Sequence, residues 1–139
     1  MTSKVIIAAL IGGTVSFIGG YLIYGMALNS FMMTNAGSAS GVMKTDMAAS
    51  NMALIFIGSV AGALLLAYIF DKWANIRTLS TGAQAGALIG LLMALSFDFT
   101  MLGTTNILTS TSAIVDVIAS TVLTALTGGA VAWWLGRGN

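Results

Sequence analysis

Proline, histidine and cysteine are absent from this 139-residue chain, and only 6% of its residues are charged. Without cysteine there is no disulfide to report a compartment and no thiol nucleophile. Without histidine there is no imidazole base, and the two losses together remove Cys/His zinc sites. The sequence therefore predicts no metal site and no cofactor. Five Lys and Arg against four Asp and Glu give a net charge of +1. The basic residues are scattered, so the concentrated basic patch that nucleic acid needs is missing as well. Apolar surface is what the chain has in excess: 58% of its residues are hydrophobic and its mean hydropathy is +0.98. Soluble domains are about 45–50% apolar and about 25% charged, and a chain this short leaves too much surface wet to hide such a composition in water. A bilayer removes the difficulty.

A helix crosses the hydrocarbon core with about 20 predominantly apolar residues, and four segments meet that requirement: residues 5–28, 47–70, 81–102 and 113–135. Membrane-spanning strands alternate apolar and polar residues over about 10 positions, whereas runs such as VIIAALIGG and ALIFIGSVAGALLLAYIF do not alternate. Lys4 before an apolar run has the outline of a signal peptide. The run exceeds the about 7–15 residues of a signal core, and no A-x-A site follows it, so it is predicted to be the first span. The expected fold is an all-α membrane protein, one domain over residues 1–139, with four transmembrane helices as two antiparallel hairpins. The links are expected at 34–46, 71–80 and 104–112, and links this short predict that successive helices are neighbours. The tetrapeptide ALIG at 9–12 recurs at 87–90, and Gly25 matches Gly103 at the same offset, a pattern open to duplication or to chance.

Lys4, Lys72, Arg77 and Arg137 fall on the side shared by the termini and the second link, and Lys44 alone falls on the other. Positive residues favour the cytoplasm, which predicts cytoplasmic N and C termini. Trp73, Trp133 and Trp134 mark the same boundary, as an interfacial belt does.

Small residues recur every fourth position. Gly82, Gly86 and Gly90 form a double G-x-x-x-G on the third span, Gly58 and Gly62 a single one on the second. Such stripes let helices approach closely in lipid, where no hydrophobic drive separates apolar partners from the solvent. Every span carries one, more than a single bundle needs, and a homo-oligomer or a complex with other membrane subunits is expected.

Ionisable groups within the hydrocarbon are costly and are functional candidates for that reason. Asp98 and Asp116 are the two here, and the spacing of Gly90, Ala94 and Asp98 puts Asp98 on the small-residue face. Tyr21, Tyr24, Lys44, Asp46, Asn51 and Asn106 belong to the same outer end, so together these residues are the candidate outer-side polar site. They fit helix-end anchoring, in which Lys44, tyrosine hydroxyls and asparagine amides hold the acids. They also fit a cation or proton path lined by Asp98 and Asp116. No nucleophile or oxyanion arrangement accompanies the carboxylates, so no catalytic residue is assigned and no enzymatic activity is expected. The outer-side methionines could bind Cu(I) in principle but read as fillers of apolar gaps.

The stretches YLIYGMALNSFMMTNAG (21–37), GVMKTDM (41–47), LLLAYIFDKWANI (64–76), GAQAGALIG (82–90) and DFTMLGTTN (98–106) resemble a family of small bacterial four-helix integral membrane proteins known only as a domain of unknown function. The resemblance runs through nearly the whole chain. It implies four spans, a multi-pass place in a bacterial inner membrane and an uncharacterised role, and it carries no catalytic residues over. The leading expectation is a non-enzymatic membrane module that assembles with itself or with other subunits. A small cation or proton transporter using Asp98 and Asp116 is the alternative.

Overall fold

The computed structural model describes residues 2–44 and 48–137, so Met47, the expected first residue of the second span, lies outside the described residues. Four helices are long and apolar enough to cross a membrane: Ser3–Ala27, Ala49–Ala74, Leu79–Thr104 and Ser110–Leu135. The longest have 26 residues, about 39 Å at the α-helical rise, against a hydrocarbon core of about 30 Å. The first is α1 (Ser3–Gly20), continued by a wider π-helical stretch over Tyr21–Ala27, after which the short α2 (Asn29–Thr34) leads into the first link. The second is α3 (Ala49–Tyr68), continued in the same way over Ile69–Ala74. Then come α4 (Leu79–Thr104) and α5 (Ser110–Leu135).

The helix ends follow from polar residues. Thr2, Thr78 and Thr109 each accept a backbone N–H of the first turn, and Thr109 with Ser112 forms a reciprocal capping box. These caps start α4 and α5 two and three residues earlier than hydropathy predicts. The second span differs more. Residues 71–74, expected in a turn, are the last turn of the helix, because Asp71 is held by Arg77 at 2.8 Å and by Lys72 at 3.7 Å. The chain turns only at Asn75, which adopts a left-handed conformation (φ 51°) that asparagine tolerates.

α4 and α5 make the most extensive helix pair, α1 and α3 the next, and α1 joins the two pairs by packing on α5. α4 presents Gly82, Gly86, Gly90, Ala94 and Asp98 as its buried face. A Cβ at Gly86 would collide with the Thr124 carbonyl oxygen, and one at Gly82 with Ala132 and the Gly128 carbonyl oxygen. Gly13 of α1 lies against the Val60 backbone of α3 in the same way. By contrast, α3 and α4 hardly meet, although only residues 75–78 connect them. The expectation that every short link makes packed neighbours fails here, because the small face of α4 is already committed to α5.

The core is concentrated at one end. Val5 and Ala8, Ala63, Leu66, Ala67 and Phe70, and Val131, Ala132 and Leu135 form one buried cluster. At that end Lys4 Nζ donates to the Arg137 carbonyl at 2.6 Å and Arg77 donates to the Leu135 carbonyl at 3.2 Å. At the opposite end the first link meets the residues before α5: Gly37 N–H donates to the Ile107 carbonyl, Ala39 N–H to the Asn106 carbonyl, and the Thr109 hydroxyl to the Asn35 carbonyl.

Candidate functional site in the cleft between α3 and α4

Because α3 and α4 stand apart, a cavity of about 370 Å³ opens between them, floored by α5 and touched by Ser16 of α1. On one wall are Gly58, Ser59, Gly62 and Leu66, on the other Ile89, Met93, Phe97 and Asp98. Asp116, Ser120, Thr124 and Thr127 of α5 make the floor. Phe70, Leu135, Val5 and Val131, all fully buried, fill the bundle at the end where Lys4 and Arg137 meet.

Asp98 lies six residues before the last residue of α4 and Asp116 six after the first of α5. At the α-helical rise each is about 9 Å from its helix end. These ends adjoin, so the two acids stand at one depth. Their side chains are close enough to interact with each other and with Tyr24. The Tyr24 hydroxyl is 2.9 Å from Ser120 Oγ, across 96 residues of sequence. Asp98 is only 4% exposed, and its Oδ2 is buried without a hydrogen-bond partner among the described residues. Three neighbouring hydroxyls of the cleft are engaged in their own helices. Ser59, Thr124 and Thr127 each donate to the carbonyl four residues back in their own helix, the usual use of a hydroxyl within a helix.

The chain's cations are placed elsewhere. Lys72 and Arg77 face Asp71, and Arg137 stacks over Trp133 and Trp134 with its guanidinium carbon 4.8 Å and 5.9 Å from the ring centroids. Lys44 Nζ donates to Asn51 Oδ1 at 3.3 Å, so that pair forms in the loop and at the start of α3. Of the residues expected to form the outer polar site, the structure thus brings Tyr24, Asp98 and Asp116 together. Tyr21 is exposed on its helix, and Asn106 sits in the link before α5 with its carbonyl, not its amide, holding the first link. Asp46 lies outside the described residues. Ser120 joins the cluster, foreshadowed by its four-residue spacing from Asp116. The Gly58–Gly62 stripe was legible as a packing face, and nothing in its spacing told that it lines a cavity: a Cβ at either glycine meets no other atom within 4 Å.

Two adjacent acids with a tyrosine and a serine in an apolar cleft can hold a proton or a cation between them, since such charges are stable in a low-dielectric setting only when compensated. Among the described residues no group of three or more acidic, His or Cys side chains converges to hold a metal ion. Compared with family models, curated proteins and solved structures, the chain finds no match.

Proposed function

We propose that this chain is a non-enzymatic multi-pass module of a bacterial inner membrane, built as two antiparallel hairpins with both termini cytoplasmic, which assembles with a second copy of itself through its open α3 side. One observation carries the reading: Gly58 and Gly62 form a close-approach stripe that the chain's own packing leaves uncovered, whereas the equivalent stripe of α4 is buried against α5. A stripe of this kind is self-complementary across a two-fold axis, and without a partner it gains none of the contacts that small residues make possible. The orientation is supported by Lys4, Lys72, Arg77 and Arg137 gathering at one end, which the positive-inside preference assigns to the cytoplasm.

Mass measurement of the full chain extracted in native lipid particles tests the assembly, with two or more chains per particle expected and one chain per particle contradicting it. Because the chain has no cysteine, single introduced cysteines report the orientation. Ser38→Cys is expected to react with an impermeant maleimide added outside intact cells, and Thr78→Cys only after the membrane is opened. The reverse pattern contradicts the cytoplasmic placement of the termini.

A second reading, a cation or proton path, is favoured by Asp98 Oδ2, which has no hydrogen-bond partner among the described residues. The packed apolar end weighs against an open channel, since a conducting path needs polar groups or a cavity through the full thickness.

A further inference from the structure

We infer that the α3–α4 cleft is a binding site for a small organic cation with an apolar body, its ammonium group seated between Asp98 and Asp116. This goes beyond assembly and needs the Asp98–Asp116 end of the cleft to stay open where a second copy packs on Gly58 and Gly62. Three observations converge. Asp98 lines the cleft, and its Oδ2 is buried with no hydrogen-bond partner among the described residues, an arrangement that is costly until a donor arrives. The described cations Lys4, Lys44, Lys72, Arg77 and Arg137 are engaged at helix ends and links, so the acid pair draws no counter-charge from them. The space beside the acids is about 370 Å³, within the range of small-molecule sites.

The walls define the class of ligand. Leu66, Ile89, Met93 and Phe97 offer apolar surface. Ser59, Thr124 and Thr127 spend their hydroxyls on their own helices and Ser120 is engaged with Tyr24, so a strongly polar ligand such as a sugar finds few partners. An inorganic cation held by the carboxylate, Tyr24 and Ser120 oxygens would balance the charge and leave the apolar length of the cleft empty. A proton alone would neutralise the acids but would leave the apolar volume unexplained. An organic monocation accounts for both the charge and the space.

The test uses the full chain in zwitterionic lipid nanodiscs and radiolabelled benzyltrimethylammonium, a permanently charged probe that exchanges no proton. Saturable binding is expected, and unlabelled neopentylbenzene, the neutral analogue of the same shape, should fail to displace it. Asp98→Asn and Asp116→Asn keep side-chain volume, and each is expected to weaken binding by about tenfold or more, the loss of a charge-assisted contact, while the number of chains per particle stays unchanged. The absence of saturable binding to the folded protein overturns the inference. So does unaltered binding by both variants, displacement by neopentylbenzene, or displacement by sodium or potassium at the probe's own concentration. Binding by a particle that holds one chain would keep this inference and sink the assembly reading. A multimer without binding would do the reverse.

Discussion

At Gly86 a methyl group has no space, because it would meet the Thr124 carbonyl oxygen and the Gly128 backbone, neither of which can move without displacing a helix. At Gly62 the same methyl would meet nothing within 4 Å. The same residue type in the same spacing therefore predicts opposite outcomes. Gly86→Leu is expected to destabilise the fold by about 1–3 kcal/mol or more, the usual cost of overpacking. Gly62→Leu should change single-chain stability by no more than about 0.5 kcal/mol, as open surface positions do. Denaturant titration of dilute detergent-solubilised protein, followed by helical circular dichroism, compares them. Equal losses would mean that the α3 stripe is packed after all. Tyr24→Phe removes the hydroxyl that reaches Ser120 and should cost about 0.6 kcal/mol in the same assay, the average for a hydrogen bond between membrane helices. Asp98 was legible at this scale because the buried positions of α4 recur every fourth residue and the acid falls in that series. The Tyr24–Ser120 contact was not, since no local spacing connects residues 96 positions apart on the first and last spans.

Among the elements, the four spans were legible because a bilayer demands length and apolarity of each segment independently, before any helix meets another. Their ends were less so. Asp71, Lys72 and Trp73 read as a turn by composition, yet they complete α3, because charge can sit on a helix end when partners are near. Arg77 provides the stronger tie: it bonds Asp71 at 2.8 Å and also the Leu135 carbonyl, clamping the 75–78 link to the end of α5. Lys72 lies at 3.7 Å and is more exposed. Arg77→Ala is therefore expected to lower thermal stability by an amount corresponding to about 1 kcal/mol or less, and to speed hydrogen exchange at residues 74–79. Lys72→Ala should change neither, in keeping with the small worth of exposed ion pairs. Loss of stability in both variants alike would place the support in general charge at that end and not in the Arg77 clamp. Which stripes pair was illegible from the sequence: α3 and α4 both carry G-x-x-x-G, and only the packing of α4 on α5 reveals which one is left over.

Across the whole molecule the two ends are built differently. The end where Lys4, Arg77 and Arg137 gather is filled by Phe70, Leu135 and Val131, while toward the other end the α3–α4 cleft is lined by Asp98 and Asp116. The expected polarity was a belt of cations and tryptophans at one end and polar groups at the other. The structure draws the polar groups inward, from the loops to a cleft within the spans, and leaves Lys44 and Asn51 with each other. Hydropathy cannot foresee that shift, because a cavity depends on which helices fail to meet. The same failure to meet is what makes α3 available to a second copy. Oxidative cross-linking of Gly58→Cys in native membranes tests that claim most directly, since the chain has no other cysteine. The account predicts a disulfide-linked dimer from Gly58→Cys and little from Ile57→Cys, a residue exposed on the same helix but turned about 100° away from Gly58 and outside the cleft lining. Equal cross-linking at both positions, or none at Gly58→Cys, would contradict it.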